Sequence, residues 1–226
     1  MRVVRGQAAS EDEDRAATRR LVESVGESGE PAVRVWQPTR QVAFGRRDAQ
    51  SDGYEAARDA ARDHGFAPVE RSVGGRAVAY TGTTVAFARV EPVEDIRTGL
   101  GERYESLASD VQRACWRLSV PVQRGEPANS FCPGAHSLQY EGKLAGIAQR
   151  ITSTAALVSG VLVVDGHDEI AAVLDDIYGA LDVPFDPDTV GSLERGGGET
   201  QSARVLGELE AALAGDDFRV ESVRQT

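Results

Sequence analysis

Apolar residues recur along this chain with two different periods. Over 11–25 they return at helical spacing, with Ala17, Leu21, Val22 and Val25 on one side, which predicts an amphipathic helix. Ser10 stands in front of it and Glu13 follows three residues later, the pattern of a capping box. Residues 32–36 and 41–44 alternate as strands divided by Pro38. Residues 53–64 read as a helix that Asp52 can cap and Gly65 can stop. Extended stretches are expected at 68–72, 77–80 and 83–90, the first two around Gly74 and Gly75. The longest helical pattern covers 96–117, with Leu107, Val111, Cys115 and Leu118 on one face. A hairpin at 139–150 feeds a strand, 155–164 is β-rich and apolar, 170–181 is helical, and Pro184 and Pro187 mark a turn. After the run Gly196, Gly197, Gly198, read as a flexible connector, 203–213 predicts a closing helix.

Strands and helices mix without regular βαβ alternation. This predicts an α+β fold, a mixed and mostly antiparallel sheet flanked by helices. With 226 residues and 41% hydrophobic content, the chain can bury one sizeable core, so 1–226 is read as a single domain. Its centre is expected at about 30–185, with the helical segment at about 200–215 following the glycine connector.

Charge narrows the partners. A formal net charge of -11 repels nucleic acid and anionic membrane surfaces, so neither is expected. No apolar run approaches the roughly 20 residues that span a bilayer, and the first residues carry no apolar signal core. A cytoplasmic protein is the expectation. Two cysteines in such a chain do not make a disulfide framework, and no Cys/His spacing suggests a metal.

One count bears on chemistry. Of 25 Lys+Arg residues, only Lys143 is a lysine. A lysine kept where arginine replaces all others suggests a place that a compact, tunable ammonium fills and a guanidinium does not. Eleven residues before it, Cys132 sits in a turn-forming segment, Ser130, Phe131, Cys132, Pro133, Gly134. A cysteine in a loop, with a cation brought near by a chain reversal, is a candidate nucleophile. Cys115, on the apolar face of a helix, reads as core. A Cys132–His136 pair is a lesser reading, because Pro133 and Gly134 break any helix that would bring the two side chains together. A third segment, Arg71, Ser72, Gly74, Gly75, Arg76 and Ala77, joins glycines that allow close backbone approach to arginines that can bind an anion. Taken alone, it favours the plainer reading, a glycine turn with solvated arginines.

Together these residues resemble the biotin/lipoate ligase and octanoyltransferase superfamily. The cysteine-dependent branch, which transfers octanoyl groups from glycine cleavage H protein, carries a Ser-Phe-Cys-Pro-Gly stretch, then Gly-Lys, then Ala-Gly-Ile-x-Gln-Arg. Here these are Ser130 to Gly134, Gly142 and Lys143, and Ala145 to Arg150. The resemblance implies a biotin/lipoate protein ligase-like catalytic domain with a channel for a medium-length acyl chain. It implies Cys132 and Lys143 as catalytic residues. It also implies an acyl site of Arg71, Ser72, Gly74, Gly75, Arg76, Ala77, Ala145, Gly146 and Gln149, with backbone N–H groups near Gly146 facing an oxyanion. The implied partners are lipoyl-carrier domains, glycine cleavage H protein and the 2-oxoacid dehydrogenase E2, with the octanoyl or lipoyl group as substrate. A transferase needs no cofactor; an ATP-dependent lipoate-protein ligase, the alternative, needs ATP and Mg. A non-catalytic acyl- or carrier-binding subunit of the same fold is the third reading. Ligases usually have a third glycine where Arg76 stands and a histidine where Tyr80 stands, and both departures count against the ligase.

Overall fold

The structure is a computed structural model that describes residues 1–71, 75–215 and 217–223. Its strands are β1 (Arg2–Arg5), β2 (Ala32–Trp36), β3 (Gln41–Phe44), β4 (Ala67–Glu70), β5 (Val78–Tyr80), β6 (Val85–Pro92), β7 (Gln123–Arg124), β8 (Ser137–Gln139), β9 (Lys143–Ile151), β10 (Ala155–Leu162) and β11 (Arg219–Ser222). Its helices are α1 (Glu11–Ser28), α2 (Arg46–Ala49), α3 (Tyr54–Asp63), α4 (Leu100–Arg117), α5 (His167–Ala180) and α6 (Ser202–Ala214). Among the described residues the strands form two sheets. The larger runs β11-β1-β2-β6-β10-β9-β8-β7 and the smaller β4-β3-β5. β1 is parallel to both β2 and β11, and β3 to β4; the other pairs are antiparallel. The mixed, mostly antiparallel sheet with flanking helices is therefore present as expected.

The helical face predicted for α4 is the face it buries. Leu107, Val111, Cys115 and Leu118 meet Val35, Val85 and Phe87 of the large sheet and Val205, Leu209 and Leu213 of α6. Each fully buried aliphatic side chain contributes about 1.5–3 kcal/mol. A second core lies under the small sheet, where Val42 and Phe44 meet Ala57 and Ala61 of α3 and Ile170, Val173 and Ile177 of α5. Phe131 is buried in this second core, and Cys132 packs partly against it. α1 covers the large sheet through Leu21 and Val25, which meet Val90 and Ala155. Arg34, fully buried, is held by an ion pair with Asp14 of α1.

Several local expectations change in detail. Ser10 does cap α1, accepting from the Glu13 N–H at 3.3 Å. The Glu13 carboxylate, however, takes the N–H of Ala9, so the box does not close on Ser10 itself. Asp52 does not cap α3; Gly53 occupies the cap without a side-chain bond. The run 196–198 is packed rather than loose: a Cβ at Gly198 would stand 2.3 Å from Val120, and the Gly198 N–H donates to Leu193. No described helix is long and apolar enough to cross a membrane.

Candidate active site

Cys132 lies in the loop from β7 to β8, with a φ of 41°. Left-handed backbone at a residue with a Cβ costs of order 1–3 kcal/mol and persists only where neighbours impose it. Here both sides of the residue are gripped. Its N–H donates to Tyr178 Oη on α5 at 2.6 Å, and that hydroxyl donates to the Ala77 carbonyl at 3.1 Å. Its carbonyl accepts from Lys143 Nζ at 2.8 Å. Tyr178 thus ties the cysteine loop to the glycine segment before β5, and burial raises its phenol well above the ordinary range.

Lys143 opens β9 and is 1% exposed. Its three N–H donors go to Glu126 Oε2 at 2.6 Å, the Phe131 carbonyl at 2.9 Å and the Cys132 carbonyl. The Phe131 ring centroid lies 5.0 Å from the ammonium. A Cβ on Gly146 would stand 3.4 Å from Lys143 Cε, so the stem is closed in on that side. Three diverging acceptors suit a tetrahedral ammonium, and a planar guanidinium is too large and wrongly shaped for them. The single lysine of the sequence therefore has a structural reason.

Glu126 completes the brace. Its carboxylate also accepts from the Gly134 N–H at 2.8 Å and from Ser137 Oγ at 2.7 Å, closing the loop on both sides of Cys132. Burial alone would raise this carboxyl, but the Lys143, Ser137 and Gly134 donors outweigh burial and hold it below the usual range.

The sulfur itself faces the glycine segment. Arg71 Nη2 lies 3.4 Å from Cys132 Sγ and donates to the Arg76 carbonyl at 2.5 Å. Gly75 has φ 94°, and a Cβ there would stand 2.9 Å from the sulfur and 2.8 Å from Arg71 Nη2. Only glycine fits both the backbone and the space. The Arg76 guanidinium turns to Asp48, a fully buried carboxylate of α2, at 3.1 Å.

The structure thus brings Arg71, Gly75, Ala77, Cys132 and Lys143 into one constellation, with the backbone of Arg76 joining it. The Lys143 ammonium contacts the carbonyl of Cys132, and the hydrogen-bonded cation at the sulfur is Arg71. Ser72 and Gly74 lie outside the described residues. Ala145 and Gln149 are not brought to the sulfur. Ala145 is buried in the α4 core, and Gln149 accepts from Arg103 of α4 at 3.2 Å. Two open clefts, one lined by Val4 and Ala17 and one by Val35 and Ala203, include no residue of this constellation. Glu126, Tyr178 and Asp48 were not legible as site residues. A lysine expected in a strand of a folded core does demand a carboxylate, and that demand is the signal that points to Glu126. His136 stacks on Tyr104 at 3.8 Å between ring centroids, and among the described residues it makes no hydrogen bond to Cys132.

Residues 12–200 match the family model described as the lipoyl protein ligase A/B catalytic domain. A protein of Exiguobacterium sibiricum named octanoyl-[GcvH]:protein N-octanoyltransferase is 33% identical over 165 residues, 71% of this chain and 59% of that protein. One of the same name from Kyrpidia tusciae is 29% identical over 187 residues, 82% of this chain and 62% of that protein. The chain spans about three fifths of the length of these relatives. Among solved structures, a lipoate-protein ligase A bound with ATP superposes with a TM-score of 0.78 at 18% identity, covering 99% of this chain and 88% of that one. A bipartite lipoate protein ligase of Thermoplasma acidophilum gives 0.69 at 15% identity, covering 99% and 86%. These two likenesses establish the fold.

Proposed function

The chain belongs to the lipoyl protein ligase A/B catalytic domain family, and from that membership we propose that it is an acyltransferase working through Cys132. It moves an octanoyl or lipoyl group onto a lysine of a lipoyl-carrier domain. The observation that carries this reading is the sulfur of a strained, doubly gripped cysteine facing Arg71 and Gly75 of the glycine segment. The names of the relatives point the same way, and give the glycine cleavage H protein as the carrier to test first.

The chemistry runs in two balanced steps. The Cys132 thiol first gives its proton to solvent. The thiolate then attacks the acyl carbonyl carbon, forming a C–S bond, and the bond from that carbon to the donor breaks. A thioester donor leaves as a thiolate; an amide donor leaves as the carrier's lysine amine, taking up a proton. The acceptor lysine amine next attacks the acyl-enzyme, a C–N bond forms, the C–S bond breaks, and the amine's proton is released. Lys143 holds the Cys132 carbonyl, and through it the sulfur, in place throughout. Arg71, Gly75 and Ala77 form the wall that the acyl chain enters beside.

No step consumes a nucleotide. The fixed Arg76–Asp48 pair, standing where ligases have a glycine, supports that reading. Intact-protein mass spectrometry after incubation with octanoylated carrier should show an octanoyl adduct, without ATP and without pyrophosphate release. Cys132→Ala should abolish both adduct and transfer. Transfer at the wild-type rate by that variant would end the covalent route, and strict ATP dependence with free lipoate would favour the ligase.

A further inference from the structure

We infer that Arg71 is the cation that stabilises the Cys132 thiolate, and that Lys143 is a positioning residue acting on the backbone. This deepens the reading above and rests on Cys132 being the nucleophile.

The two buried arginines, Arg34 and Arg89, share a feature that the half-buried Arg71 lacks. Arg34 is paired with Asp14 and Arg89 with Asp110, each through a carboxylate buried alongside it. Removing a cation from water is costly unless an anion accompanies it. Among the described residues, Arg71 has no ion pair with a carboxylate. Its Nη2 meets a carbonyl and a sulfur, and its buried Nε has no acceptor among the described residues. Its neighbour Arg76 takes the Asp48 carboxylate instead. Among the described residues, the one group in hydrogen-bond contact with Arg71 that can carry a negative charge is Cys132 Sγ. Burial pulls the guanidinium's affinity for its proton down, yet the net direction is upward, with Cys132 the largest opposing influence.

Lys143 is committed elsewhere. Its three donors are taken by one carboxylate and two carbonyls, and the pairing with Glu126 makes that unit neutral overall. A neutral unit aimed at the backbone does little for a charge on the sulfur. The other ionisable groups bearing on Cys132 are the Tyr80 and Tyr178 phenols, with Asp48 behind Arg71. Burial holds both phenols in the neutral form, so neither places a negative charge beside the sulfur.

Iodoacetamide tests this without any acyl donor. The thiolate forms a C–S bond, the C–I bond breaks and iodide leaves, so rate against pH follows thiolate formation. Cys115 is fully buried with its thiol pushed up to about 12, so it stays silent while the fold is intact and reports unfolding if it reacts. Arg71→Gln should move the Cys132 profile upward by about one pH unit or more and cut the rate at pH 7 about tenfold. Arg71→Lys, which keeps the charge, should stay near wild type. Arg71→Met is the second neutral variant should the glutamine expose Cys115. Lys143→Gln should move the profile less than either neutral Arg71 variant does. An unmoved profile in a folded neutral variant, or a larger shift from Lys143→Gln, overturns the assignment. A shifted profile in a protein that never forms an acyl adduct would instead keep the Arg71 pairing and remove the transferase reading.

Discussion

The two cysteines of this chain are the same residue in opposite settings. Cys115 sits on the buried face of α4, in regular helix, with apolar neighbours on every side. Burial pushes its thiol up to about 12, so near neutral pH it is a small hydrophobe. Cys132 sits in a loop at φ 41°, with its N–H, its carbonyl and its sulfur each held by a different side chain. The setting of Cys132 is made by Tyr178, Lys143 and Arg71, which come from three separate parts of the sequence. What separates the proposed nucleophile from the core cysteine is this set of polar grips, and each one can be removed.

The largest effect should come from removing the brace. Lys143→Met leaves the Glu126 carboxylate and two carbonyls without their common donor. A cost of about 3 kcal/mol is expected in denaturant unfolding, at the low edge for a buried pair because Glu126 keeps some contact with water. Hydrogen exchange should quicken at 129–137 while α4 stays protected. Uniform loss of protection across both regions would show that Lys143 supports the whole fold rather than one loop. The reverse experiment addresses the other cysteine. Cys115→Ser puts a hydroxyl into an apolar core and should cost about 2 kcal/mol. Acyl adduct formation at Cys132 should survive it, and loss of the adduct in a folded variant would tie the two environments together.

The same contrast explains what was legible in the sequence. The face of α4 was readable because Leu107, Val111, Cys115 and Leu118 repeat at helical spacing, and burial follows spacing. Strands at 32–36 and 41–44 were readable for the same local reason. The short outer strands were not. Arg2–Arg5 and Arg219–Ser222 carry too few apolar positions, and they exist because the two ends of the chain pair in parallel. The site divided similarly. Cys132 and Lys143 are close in sequence, so a turn between them could be anticipated. The direction of the ammonium, onto the carbonyl of Cys132, depends on Glu126, and no periodicity announces that. Tyr178 looks like any apolar-face residue of a helix until its hydroxyl is seen between Cys132 and Ala77. Arg71 reaches the sulfur across 61 residues of chain.

The smallest expected effect sharpens the comparison most, because it changes one proton. Glu126 is held below the ordinary carboxylate range in the folded protein, and its ordinary value is about 4.3. A group whose folded value is depressed contributes stability that is full above its unfolded value and is lost as pH falls through the folded one. Wild type should therefore lose part of the Lys143–Glu126 brace only in acid. Glu126→Gln lacks that carboxylate at every pH. Near pH 7 it should be less stable than wild type by about 1 kcal/mol, since the pair is partly screened by solvent. As pH falls below the ordinary carboxylate value, the unfolded state's carboxyl protonates first and the wild type's advantage begins to shrink; it is gone once pH passes through the lower folded value and the protonated Glu126 resembles the amide. The stability gap should then close. Thermal melts of the two proteins from pH 7 to pH 3 measure that gap directly. A gap that stays constant across the range would mean that the carboxylate's charge does not hold the loop, and that shape alone distinguishes Cys132 from Cys115.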